Sequence, residues 1–329
     1  MHGAFSREKV GITMAIGIVF HSIALITIMI MIGAFITKQI EFNNDIRNMF
    51  TTLIVNIAMP CIILSSIFKL DMTNELLSNA FLVLFLSIII NILGIIIGGL
   101  IASRVYPQLD RTREIAILSG LGNTGFIGIP LCAILLGPEG ALYAAMFDAG
   151  VDITLWTVGS LILQKEKKVN LNTLKSLINI PMIAIVFGLT FSIIQIKPYV
   201  FFLDLFNLLA SLGAPLAMFY IGMLLMNLYK ARAVNSLATY KKALWLPITI
   251  KLILVPLIVL SIGNLLSLDN TIFQTVFVQS MMPSLTLASI LFSKFSSDDE
   301  MGAATTAIST IFAMFTIPLM ILILNMISF

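Results

Sequence analysis

Three side chains with a formal charge sit well inside apolar runs of this 329-residue chain: Asp148, Asp152 and Lys251. Placing such a group in hydrocarbon costs about 2.5–3.5 kcal/mol on insertion scales, so each is expected to face a cavity or an opposite charge. Asp148 and Asp152 are four residues apart and share one face of a helix. Two carboxylates so placed repel each other unless a proton or cation joins them, which suits coupling to protons or sodium. They equally fit a structural role, in which either aspartate pairs with Lys251 as a lock between two helices. The depths permit it: at about 1.5 Å of rise per residue, Lys251 and Asp152 differ by about 4–5 Å. Gln279 and Ser280, in a later apolar run, either offer oxygens to a cation or satisfy unwound backbone.

A second set of residues surrounds a break in helical sequence. Glu114 to Leu136 reads EIAILSGLGNTGFIGIPLCAILL, long enough to cross a bilayer, with Gly120, Gly122, Gly125, Gly128 and Pro130 around Asn123 and Thr124. Glycine and proline each weaken a helix, so a continuous one is not expected. A half-helix restarting after the break presents free N–H groups and positive partial charge. QSMMPSLT, around Pro283, has the same character. An anion suits that geometry without an arginine, with Asn123, Thr124 and Gly125 at one half-helix start and Pro283, Ser284 and Thr286 at the other. Asn123 and Thr124 also fit plain capping of the second half-helix, a role compatible with ligand binding.

The elements that must position these residues follow from composition. The chain is 59% hydrophobic and 11% charged. Its charges fall between apolar runs of about 20 residues, the pattern of a polytopic membrane protein. Ten spans are predicted, at roughly 15–37, 48–68, 77–103, 114–136, 140–163, 173–195, 200–228, 242–267, 272–294 and 301–327. The first is too long for the core of a signal peptide and is expected to be retained. Fourteen Lys and Arg fall in the connections on one side and four on the other. The basic side is cytoplasmic, which places both termini outside a multi-pass protein of the plasma membrane. Cys61 and Cys132 lie in apolar segments and read as packing residues. His21 reads as an interfacial or packing residue. No Walker loop, GxSxG motif or zinc-ligand spacing is present, so neither an enzyme nor a metal site is expected, and no nucleic-acid partner.

The basic connection QKEKKVNLN divides the chain near its middle, into residues 1–164 and 165–329. The halves match in outline. NIAMPCIIL, with Pro60, corresponds to SLGAPLAMF, with Pro215. Aligning Gly140-Ala141 with Gly302-Ala303 sets Gly122 opposite Ser284 and Leu121 opposite Pro283. Five spans per half is an odd number, so the halves enter the membrane in opposite senses. The fold expected is all-α, with ten transmembrane helices forming two inverted five-helix repeats whose broken fourth and ninth helices cross near the bilayer midplane.

GNTGFIGIPLCAILLGPEGALYAA resembles the fourth-helix signature of the auxin efflux carrier family, within the wider bile acid/sodium symporter-like fold. QSMMPSLTLASILFSKF with AISTIFAMFTIPLMILIL is similar to the family's proline crossover and last helix, and IKLILVPLIV to its eighth. The resemblance implies a scaffold of helices 1, 2, 6 and 7, often dimeric, and a transport domain of helices 3–5 and 8–10. It implies a homodimer and a small organic anion as substrate, either malate- or malonate-like or auxin-like. Asn123 would contact substrate and Pro283 would mark the second crossing, although no asparagine stands opposite Asn123 in the ninth span. The long cytoplasmic loop of the plant carriers is absent. The function expected is secondary active transport by alternating access, with no cofactor other than a coupling Na+ or H+. The alternative is a membrane receptor that binds the same anion without moving it.

Overall fold

The regular structure of the described residues is helical, as the apolar runs predict. The computed structural model describes residues 25, 27–106, 111–163, 177–230, 237–266, 268–285, 288, 292 and 299–327. Among these, strand-type pairing is limited to one isolated antiparallel bridge, between Gly122 and Ser284. The helices are α1 (Thr27–Ile36), α2 (Asn44–Lys69), α3 (Asn74–Val105), α4 (Thr112–Gly120), α5 (Thr124–Leu163), α6 (Ile180–Ile193), α7 (Val200–Ala210), α8 (Gly213–Lys230), α9 (residues 237–266), α10 (Asn270–Ser280) and α11 (Asp299–Ile327).

Six helical stretches among the described residues are long and apolar enough to cross a membrane: Asn44–Lys69, Asn74–Val105, Thr124–Leu163, Val200–Leu224, Ala243–Gly263 and Met301–Ile323. Of the remaining predicted spans, the first, sixth and ninth are described only in part, as α1, α6 and α10. The fourth splits into α4 and the start of α5, and the fifth continues from it through Gly137, where φ is +69° and the helix direction changes before Pro138. The ninth is represented by α10, which ends at Ser280. His21, Thr286 and the central basic connection lie outside the described residues.

Apolar side chains face outward in stripes. On α3, Phe81, Phe85, Ile89, Ile96 and Leu100 are exposed at helical spacing, and α7 buries none of its residues. Such surfaces are stable in hydrocarbon, and the protein is a multi-pass membrane protein. Opposite its exposed stripe, α3 carries Gly94 and Gly98. A Cβ at Gly94 would stand 2.8 Å from the Gly120 Cα, and one at Gly98 would stand 2.5 Å from the Ser119 Cβ. These small residues let α3 and α4 approach backbone to backbone. The same closeness joins α1 to α8, where a side chain at Gly222 would strike the Ile30 carbonyl.

Three helices widen to a π-turn immediately before a proline: Thr52–Ala58 before Pro60, Thr124–Gly128 before Pro130, and Ile250–Leu254 before Pro256. Proline has no N–H and its ring presses on the carbonyl four residues back, so bonding slips to the fifth residue. Thr124, Gly125 and Lys251 all lie in such widened turns. At the centre of the fold is α5, with Ala141 to Phe147 almost entirely buried between α2, α3 and α10.

Candidate functional site

The two interruptions meet. After α4 the chain is extended at Leu121, with φ −94° and ψ 131°, and restarts as helix at Thr124. The Asn123 N–H donates to the Pro283 carbonyl at 2.7 Å, and the Leu285 N–H donates to the Leu121 carbonyl at 3.2 Å. Gly122 thus lies opposite Ser284 in space. Each break supplies backbone partners to the other, which is how non-helical backbone is tolerated at membrane depth. Asn123, Thr124, Pro283 and Ser284 are all buried at this junction.

Side chains from neighbouring helices satisfy the remaining groups. Lys251, fully buried on α9, donates from Nζ to the Gly120 carbonyl at 3.1 Å. That carbonyl belongs to the C-terminal turn of α4, where carbonyls lack helical partners and carry negative partial charge. Gly122 makes room for this: a Cβ there would stand 2.8 Å from Lys251 Cε. At the opposite end, the Thr124 hydroxyl donates to Asp148 Oδ1 at 2.5 Å and the Gly125 N–H also bonds the Asp148 carboxyl. The lysine therefore terminates one half-helix and the aspartate begins the next.

At the second interruption the corresponding partners are hydroxyls of α11. The Ser284 N–H donates to Ser309 Oγ at 3.0 Å, and Thr306 Oγ1 donates to the Leu285 carbonyl at 2.8 Å. The Ser284 hydroxyl reaches back to the Leu118 carbonyl at 3.0 Å. Gln279 donates to the Ala144 carbonyl at 3.2 Å. Its Oε1 is buried, has no hydrogen-bond partner and rests on Gly128. The Ser280 hydroxyl bonds the Phe277 carbonyl within its own helix.

The lock between Lys251 and an aspartate is not formed. Asp152 Oδ2 instead accepts from Asn179 Nδ2 at 2.5 Å, while Asn179 Oδ1 caps α6 by accepting from the Met182 N–H at 2.8 Å. A broken helix exposes backbone carbonyls and N–H groups, and these take the place of a side-chain partner for a buried polar group. Asn179, Thr306 and Ser309 are the residues that sequence reasoning missed. Asn179 had a legible signal, since asparagine two residues before a proline marks a helix start. Thr306 and Ser309 are three apart on one helical face of AATTAIST, a weaker signal.

Beside the junction lies a cavity of about 60 Å³, reached by Ile127 and Leu131 of α5, Pro283, Thr310 and Met314 of α11, Met218 and Ile221 of α8, and Ile30 of α1. Its lining is almost wholly apolar. It sits between α1 and α8 on one side and both interruptions on the other.

A family model described as "Membrane transport protein" matches residues 18–321. A protein of Methanothermobacter thermautotrophicus named "Uncharacterized transporter" is 22% identical over 295 residues, covering 89% of this chain and 94% of its own length. An uncharacterized transporter of Methanocaldococcus jannaschii is 23% identical over 309 residues, covering 90% of this chain and 96% of that one.

Proposed function

Since the chain belongs to the membrane transport protein family, that of the auxin efflux carriers, we propose that it is a secondary active transporter of a small organic anion, working by alternating access. The observation that carries this reading is the antiparallel contact of Gly122 with Ser284. An antiparallel pair is locally two-fold symmetric, and these are the residues that the repeat alignment made equivalent. The contact supports two inverted five-helix repeats with crossing broken helices, the arrangement that puts half-helix termini around a substrate at the midplane.

In this reading the anion is taken up beside Asn123, Thr124 and Gly125, with Pro283, Ser284 and Thr286 on the facing segment. Helices α1, α2 and α6–α8 act as scaffold, and α3–α5 with α9–α11 as the moving part. The cavity lies on the boundary between them. At about 10–15 Å³ per water it has room for only a few water molecules, so an acid enters as the two parts separate. Asp148, Asp152, Gln279 and Lys251 are the groups available for coupling to protons or sodium. A dimer through the scaffold and an outside position for both termini belong to the same reading.

The test is uptake of labelled malate, malonate and indole-3-acetate by protein reconstituted in liposomes. Uptake above protein-free liposomes is expected for at least one acid. Asn123→Ala is expected to reduce it at least about tenfold, corresponding to about 1.4 kcal/mol, while thermal unfolding stays cooperative. Full uptake by a folded Asn123→Ala protein contradicts the site.

A further inference from the structure

The half-helix beginning at Thr124 already holds a carboxylate, that of Asp148, on the Thr124 hydroxyl and the Gly125 N–H. The approach is close enough to require glycine, since a Cβ at Gly125 would stand 2.5 Å from Asp148 Oδ2. These are the same donors that the transporter reading gives to the substrate's carboxylate. Two carboxylates cannot use them at once.

Backbone satisfaction alone does not call for a carboxylate at this position. At the second interruption the neutral Ser309 hydroxyl accepts the Ser284 N–H. Nor does a counter-ion account for Asp148, because the buried Lys251 Nζ is directed at the Gly120 carbonyl and not at the carboxylate. Asp148 and Asp152 line one narrow crevice between α2, α5 and α6, and neither residue is fully buried. Every other residue lining that crevice is uncharged, from Ile63 of α2 to Asn179, the cap of α6. Asp152, one turn along α5, is the one titratable neighbour of Asp148 there among the described residues.

We propose that Asp148 is a tethered competitor of the transported anion, filling the Thr124 and Gly125 donors when the site is empty and yielding them by taking up one proton when the anion binds. The anion's oxygens replace those of Asp148 as acceptors, and the proton moves from water to the Asp148 carboxyl. Each anion therefore enters with one proton, so the coupling is proton symport. This rests on the transporter reading and assigns its coupling ion and coupling residue.

The experiment measures binding of labelled malate and of labelled indole-3-acetate to purified full-length protein, together with proton uptake in weak buffer. For wild type, the apparent Kd is expected to rise up to about tenfold per pH unit between about pH 6.5 and pH 8.5, with about one proton taken up per anion bound. Asp148→Asn is expected to bind with the same Kd at both pH values and to take up no proton. Thr124→Val, which removes one donor from Asp148 and from the anion alike, is expected to retain both the wild-type pH slope and the proton uptake. A pH-independent wild-type Kd, binding without proton uptake, or a wild-type slope in Asp148→Asn overturns the proposal and leaves the transporter reading standing. If wild type binds neither acid, the carboxylate reading and this proposal fall together. Should Asp148→Asn not fold, Asp148→Ser, which also removes the titrating carboxyl, carries the same expectations and the same contradicting results.

Discussion

Lys251 is fully buried, and its partner is not an ion. Its ammonium lies on the Gly120 carbonyl at the end of α4, where an unpaired carbonyl and the negative end of the helix dipole attract a cation. Lys251→Met keeps most of the volume and leaves that carbonyl without its donor. Losing a buried hydrogen-bond partner costs about 1–3 kcal/mol. The expected outcome is a lower midpoint of thermal unfolding in detergent, by several degrees, and an unchanged midpoint contradicts this account of Lys251. The sequence made it plain that Asp148, Asp152 and Lys251 must be accommodated, because charge inside an apolar run is conspicuous. It did not reveal their partners, because these are backbone groups at helix ends, the hydroxyl of Thr124 and the amide of Asn179, none of which stands out by charge.

At the level of elements, the interruptions were the most legible feature. Glycine, proline and the Asn-Thr pair mark the first, and Pro283 marks the second. Their contact was less legible, since it joins residues about 160 apart, and only the repeat alignment hinted at it. The response of the helices to proline was not legible at all. Pro60, Pro130 and Pro256 each follow a widened turn, whereas Pro138 follows the kink at Gly137. The close packing of α3 on α4 is what holds the first break in register. A leucine at Gly98 has no room, with Ser119 Cβ 2.5 Å from the Cβ position. Overpacking of this kind costs about 1–3 kcal/mol or more. Gly98→Leu is therefore expected to lower the unfolding midpoint and to depress uptake, while Gly99→Leu, one residue along and in ordinary contact with Ala116, is expected to do less. Equal losses from the two changes contradict the role given to the α3–α4 contact.

For the molecule as a whole, composition settled the bilayer as solvent, and the outward apolar stripes of α3 and α7 agree with it. What composition does not encode is motion. The cavity beside the junction is small, bounded by α1 and α8 on one side and by α5 and α11 on the other. A transporter must part these surfaces alternately toward each side of the membrane, whereas a receptor need only bind, and a channel opens to both sides together. Counterflow separates the three most directly. Liposomes containing the protein are loaded with unlabelled malate or indole-3-acetate, diluted into a trace of the same labelled acid, and followed over time. The account predicts transient accumulation of label above its equilibrium level, driven by exchange through the site, and its loss in Asn123→Ala. Binding of label with no accumulation, or simple equilibration that preloading does not accelerate, contradicts it.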